Sequence, residues 1–268
     1  FRDGKWPKKG QTTGLLDIAG FYCPSGYMFK SLWSDEPTIH LTTQTLEKSP
    51  YRLADNDAVV ETEADGWQRQ IWYWHDVNEH WNYDQDQLTV VEVLTNCDEV
   101  ELFVNGQSLG CQALHNQADR ILKWAVPFAP GTLEARGKHR NGQSVTTQLV
   151  STREPAAIQI STDQTSLNAN GYDVAHIVAQ LVDAHGMPIK HIEREIIFSI
   201  EGPCRVLGVD NGHIENVQDY QSDHLTTSQG RALLILQAQH KDGPVIIRAT
   251  ADAIDSNLIE LDIVAYAQ

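Results

Sequence analysis

At 268 residues the chain is too long for one small module and suits two domains of ordinary size. It is 41% hydrophobic and 21% charged, which excludes global disorder and leaves enough apolar side chain for a real core. Twenty Lys and Arg against 36 Asp and Glu give a net charge of −16, a field that repels phosphate backbones and anionic lipid, so neither nucleic acid nor a membrane is expected as a partner.

The opening FRDGKWPKKG carries no initiating Met and no apolar signal core, and reads as a chain that has lost something upstream. No run approaches the roughly 18 apolar residues that a membrane span needs. GLLDIAGF (14–21) reads as a buried parallel strand. YMFKSLW (27–33) then sets Tyr27, Met28, Phe29, Leu32 and Trp33 at near-helical spacing. Strand, loop and helix over 1–34 look like the last βα unit of a larger structure. Such a unit cannot bury its own faces and would leave an apolar flank bare.

From residue 35 the pattern is β. The segment 89–110 is clearest: Val91 and Val93 point one way, Val90 and Glu92 the other. After the TNCD turn, Val100, Leu102 and Val104 alternate with Glu99, Glu101 and Phe103, predicting an antiparallel sheet with one buried face. Asn105-Gly106 supplies the backbone for a tight hairpin or a related turn. Further strands are predicted at 121–126, 131–138 and 144–150, completing a first sandwich over 35–150.

Residues 42–87 are aromatic-rich, with Trp67, Trp72, Trp74 and Trp81 within fifteen residues and Tyr51, Tyr73 and Tyr83 around them. Trp72 and Trp74 invite a sugar-stacking, substrate-binding reading, because pyranose C–H faces pack on indole. The competing reading makes them alternating strand residues in the core of the first sandwich or at its junction with an absent part.

STREPAA (151–157) is a short polar seam. Strands beyond it are predicted at 156–161, 175–183, 195–202, 205–210, 231–238, 244–250 and 259–266, punctuated by glycines. About seven strands over 155–268 make an immunoglobulin-like sandwich. The fold class is therefore all-β: two immunoglobulin-like β-sandwich domains behind a βα remnant.

Chemistry is sparse. Glycoside hydrolysis needs two carboxyls facing one cleft, but Glu92, Glu99 and Glu101 fall on the predicted solvent face, where ordinary carboxylates belong. Asp17 differs. It ends a predicted parallel strand, where α/β barrels place functional groups, although it also suits a loop-fixing hydrogen bond. His75 and His80, beside Asp76, Glu79 and Asp84, lack a recognised metal spacing and read as a solvated loop. Asp210-Asn211-Gly212 with Asp219 and Asp223 offers oxygen ligands of the kind a calcium ion takes but lacks EF-hand spacing, which makes calcium the minority reading. Cys23, Cys97, Cys111 and Cys204 form no CxxC pair; one bridge, Cys97 to Cys111, stays open. There is no GxSxG, phosphate loop or HExxH, and no metal or cofactor is expected.

The stretches TTGLLDIAGFYCPSGYMFKSLWSDEPTIHL (12–41), TNCDEVELFVNGQSLG (95–110), KWAVPFAPGTLEARG (123–137), 153–186 and EGPCRVLGVDNG (201–212) resemble the later part of β-galactosidase-type enzymes of glycoside hydrolase family 2. The resemblance covers nearly the whole chain, through scaffold motifs. It implies that 1–34 is the end of a catalytic (β/α)8 barrel, with Gly14 to Ile18 its final strand and Tyr27 to Trp33 in its final helix. It also implies retaining hydrolysis of a β-glycoside by two Glu residues on earlier barrel strands, neither matched here, so this piece has no catalytic residue of its own.

On that template Asp17 and Phe21 reach the active-site rim, with Trp6 beside them, and the implied partners are a β-linked oligo- or polysaccharide and the upstream barrel. The implied compartment is periplasmic or extracellular, and a homo-oligomer is compatible. The 42–87 stretch departs from the family's usual connector and reads as an insertion that reshapes the cleft. The alternative is an autonomous carbohydrate-binding or cell-surface module, which would show a row of exposed, coplanar aromatics drawn from 67–83.

Overall fold

The computed structural model of the chain describes residues 6–9, 14–62 and 74–266. These divide into two units by contact: residues 14–17, 22–62 and 74–151 in one, and 6–9, 18–21 and 152–266 in the other.

The first unit opens on a loop and a helix. Gly14–Ile18 forms no strand: Leu16 makes an isolated antiparallel bridge to Tyr22 and nothing more. A buried parallel strand needs neighbours on its edges, and none is present among the described residues. The helix α1 (Pro24–Trp33) starts three residues before the predicted one, because Pro24 is preorganised for the first helical position. Ser25 Oγ donates to Gly14 O at 2.8 Å, tying the loop to the helix. Phe29, Leu32 and Trp33, at i, i+3 and i+4, share one exposed face, and Trp33 is 71% accessible.

Among the described residues nine strands follow: β1 (Ile39–Thr45), β2 (Tyr51–Leu53), β3 (Val59–Glu61), β4 (Leu88–Thr95), β5 (Glu99–Val104), β6 (Gln107–Ala113), β7 (Ile121–Pro127), β8 (Thr132–Lys138) and β9 (Ser144–Val150). The sheets β1-β4-β7 and β6-β5-β8-β9 are both antiparallel, and β2-β3 is a separate ribbon. Leu41, Val91 and Val93 from one sheet meet Val100, Leu102 and Leu133 from the other, with Trp81, Trp124 and Phe128 among them. The Asn105-Gly106 turn between β5 and β6 has both residues at positive φ, 51° and 79°, as a two-residue hairpin of the I′ kind requires.

Two expectations for 89–104 fail. The TNCD turn does not join two strands of one sheet, because β4 and β5 lie in different sheets. Asn96 Oδ1 accepts from Thr38 N, while its Nδ2 donates to Ser34 O and Glu36 O, both at 2.9 Å. Cys97 fills the space over Gly137, whose missing Cβ would stand 2.6 Å from its Sγ. These contacts carry the chain across the sandwich. Nor does β4 have one buried face. All but its first residue are buried, since polar segments cover the side that the alternation assigned to solvent. Cys97 and Cys111 are not bridged: one is buried in the core, the other exposed.

The second unit is a sandwich of β10 (Ala157–Thr162), β11 (Ser166–Asn168), β12 (Val174–Val182), β13 (Glu195–Glu201), β14 (Cys204–Asp210), β15 (His224–Thr226), β16 (Arg231–Ala238), β17 (Gly243–Ala251), β18 (Ile254–Asp255) and β19 (Ile259–Val264). One sheet runs β10-β12-β16-β14 and the other β11-β19-β17-β13-β15, with β18 on β17. All seven predicted strands form. The other three are two or three residues long, too short to show a period. Ile177, Ala179, Leu181, Leu234 and Leu236 face Ile196, Phe198, Val245, Ile247 and Ala249 in an aliphatic core.

Candidate functional site

A buried polar centre lies on the covered face of β1-β4-β7. Register sets Thr42, Glu92 and Lys123 side by side across the three strands. Glu92, expected at the surface, is 2% exposed. Its Oε1 accepts from Tyr51 OH at 2.5 Å and from His75 Nε2 at 2.8 Å, and its Oε2 from Thr42 Oγ1 at 3.1 Å. Lys123 lies 5.4 Å from the Tyr51 ring centre and pairs with Asp119.

The electrostatics follow from this geometry. Burial pushes the Glu92 carboxyl up, but the hydrogen bond and charge of His75, with the hydroxyls of Tyr51 and Thr42, outweigh it and hold the group below the usual carboxylate range. Burial first, and then the Glu92 charge, push the Tyr51 phenol up. Glu92 is thus an ionised acceptor with three donors in place.

Such a carboxylate is poorly placed to exchange a proton with an outside substrate. It acts as a clamp, fixing β2 through Tyr51 and the segment 74–80 through His75. A parallel contact sits on the same face. His40 Nε2 lies 2.8 Å from Glu79 Oε1, and the Tyr27 ring of α1 stacks on His40 at 3.6 Å. Gln44 Nε2 donates to Asp76 O at 3.3 Å. His75 therefore does not belong to a solvated loop. The sequence signal was present in the polar alternation His40, Thr42, Gln44, which reads as solvent-facing unless something polar is known to cover it.

Glu99 and Glu101 lie on β5, in the other sheet from Glu92, so the three do not converge on one cleft. Glu101 accepts from Ser108 Oγ at 2.5 Å. Asp210 and Asp219 accept from nearby backbone N–H groups, and Asp223 pairs with His224. Among the described residues no group of three or more His, Cys, Asp or Glu is placed to hold a metal.

The predicted substrate residues scatter. Trp6 is 78% exposed. The Arg231 guanidinium lies 4.0 Å over the half-buried Phe21 ring. Asp17 is half-buried in the loop beside the Leu16–Tyr22 bridge. Trp72 lies outside the described residues. Trp74 is not in a strand; it is half-buried and stacked on His75, and its buried Nε1 has no acceptor among the described residues. Trp81 is fully buried, donating to Ala129 O at 3.0 Å and meeting Phe128 edge-on.

Comparison with known proteins accords with this scaffold. Residues 158–260 match the family model described as glycoside hydrolase family 2 C-terminal domain 5, and residues 86–146 match a domain of unknown function, DUF4982. The chain is 23% identical over 258 residues to beta-galactosidase BoGH2A of Bacteroides ovatus, covering 96% of this chain and 26% of that protein. It is 30% identical over 197 residues to a beta-glucuronidase of Formosa agariphila, covering 72% of this chain and 16% of that protein.

A crystal structure of a glycosyl hydrolase family 2 member from Bacteroides cellulosilyticus superposes with a TM-score of 0.79 at 29% identity, covering 95% of this chain and 32% of that one. The chain spans between 16% and 26% of the length of the curated relatives it matches. These proteins match the two sandwiches in order, and residues 158–260 of the second carry the C-terminal domain 5 of glycoside hydrolase family 2.

Proposed function

We propose that this chain is the non-catalytic C-terminal scaffold of a retaining β-glycosidase that acts on β-galactoside- or β-glucuronide-like bonds. The observation that carries this is the bare apolar face of α1. Phe29, Leu32 and Trp33 stand exposed on it, with Leu16 and Tyr22 exposed in the loop before it, apolar surface of the kind that marks a contact. We assign that face to packing against a catalytic barrel supplied from upstream, with Asp17 and the exposed Trp6 at the rim of its cleft.

The buried carboxylate centre around Glu92 is spent on holding loops. The alternative of an autonomous glycan-binding row across 67–83 loses Trp81, which lies in the core.

The test is expression from the natural gene with its upstream coding sequence retained. The expected product is well above 30.0 kDa and hydrolyses chromogenic β-galactosides or β-glucuronides, while the 268-residue chain does not. In the longer product Trp33→Lys is expected to cost about tenfold in thermal half-life, through a buried charge at the contact. Hydrolysis by the 268-residue chain alone would overturn the reading.

A further inference from the structure

The second unit contains two stretches from far upstream, residues 6–9 and 18–21, and the 152–266 sandwich grips each by a different side chain. Lys9 N donates to Ile214 O at 3.0 Å. Lys9 Nζ donates to Tyr220 OH and lies 4.2 Å from the centre of that ring. The second grip is the Arg231 guanidinium, 4.0 Å over the half-buried Phe21 ring. A cation in that position is attracted by the negative face of the ring, the more so where water is partly excluded.

Both gripping residues stand on backbone that is itself fixed. Arg231 opens β16, directly after a turn with Gln229 and Gly230 at positive φ, 51° and 67°. Leu181 N and Gln180 Nε2 donate to Gly230 O at 2.8 Å and 3.1 Å, and a Cβ at Gly230 would stand 1.8 Å from Ile189 O. Bonded twice and packed this closely, the turn presents Arg231 from a set base. Tyr220 is anchored likewise: its O accepts from Val209 N at 2.8 Å, and its OH donates to Asn216 O at 3.3 Å.

Trp6 and Phe21, two of the residues that the sequence predicts at a cleft rim, ride on the gripped segments. Trp6 is 78% exposed and open to a ligand, whereas Phe21 supports its loop from beneath Arg231. We propose that Arg231 and Tyr220 are positioning residues, through which the second sandwich sets the rim of the substrate cleft. The assignment rests on the hydrolytic reading above and deepens it. Rim contacts lie away from the scissile bond, so they bind ground state and transition state alike. Loss of a grip should therefore raise KM for substrates long enough to reach the rim, without lowering kcat.

Two measurements test it. In the 268-residue chain the Arg231 side-chain protons should carry an upfield ring-current shift in NMR that Phe21→Leu removes. The Lys9 amide should exchange about tenfold faster in Tyr220→Leu, with β12 and β16 unchanged as the sign of a folded sandwich. In the longer product, Arg231→Gln should raise KM about tenfold for a β-linked trisaccharide, against less than about twofold for the nitrophenyl glycoside of the same terminal sugar. Phe21→Leu reaches the same pair from the loop side and should give the same split, and Arg231→Lys, which keeps the cation, should recover part of the loss. An absent ring-current shift, a trisaccharide KM that does not move, or a kcat that falls equally on both substrates would overturn the assignment while leaving an active β-glycosidase. A longer product without any hydrolysis would overturn the hydrolytic reading, and this assignment with it.

Discussion

The two sandwiches solve the same packing problem in different ways. The 152–266 sandwich uses two layers and an aliphatic core of Ile, Leu, Val and Ala with one Phe, built from strands whose side chains alternate between buried and exposed. The 14–151 sandwich adds a third, polar layer. Its sheet β1-β4-β7 packs apolar residues and Trp81 on one face, and holds His40, Thr42, Gln44 and Glu92 under loops and α1 on the other. Burying apolar surface needs only shape, whereas burying a carboxylate needs every donor in place. The first sandwich should therefore be the more sensitive to single polar changes and to acid.

The comparison breaks most severely at Trp81. Trp81→Ala removes the largest fully buried side chain, with its bond to Ala129 O, and is expected to cost about 3–5 kcal/mol. Denaturant titration read by hydrogen exchange should show that loss in β1, β4 and β7, with β12 and β16 unchanged. A loss shared equally by both regions would mean that they unfold as one.

Next in size is Glu92→Ala, which strands Tyr51, His75 and Thr42 without their common acceptor and is expected to cost about 3 kcal/mol. Exchange should speed up first in β2, β3 and residues 74–80. A neutral result would show that the clamp adds nothing to stability.

The smallest expected effect is on pH dependence. Glu92 is held below the ordinary carboxylate range in the folded chain, so its contribution is complete above that range and is lost as the pH falls through the depressed value. In the second sandwich the depressed carboxylates Asp163, Asp173 and Asp223 are open to solvent, and the buried Asp183 braces its own turn, accepting from His185 N at 2.9 Å and Met187 N at 3.0 Å, rather than clamping a separate segment. Acid titration should therefore loosen the first sandwich before the second, and Glu92→Gln should flatten that acid limb. An unchanged acid limb in the variant would assign the effect to other groups.

Legibility followed the same division. Every long strand of the second sandwich could be read from alternation, because one face is apolar and the other wet. In the first, the period was read correctly but its meaning was not. Val90 and Glu92 do oppose Val91 and Val93, yet both faces of β4 are buried. Alternation reports the polarity of a face, not what lies over it. The apolar run Gly14–Ile18 misled in the opposite sense, since its composition suits a buried strand but no strand lies alongside it among the described residues.

The sequence by itself determined the class of fold, the two sandwiches, the Asn105-Gly106 turn and the exposed apolar helix, because local periods and turn stereochemistry act over a few residues. Tertiary structure alone decided that the chain crosses between sheets at residues 96–97 and that Glu92 is sealed under Tyr51 and His75. The contacts of Glu92 join residues 17 to 50 positions apart. Only the closing of the sheets and loops brings them together, and no local period carries that information.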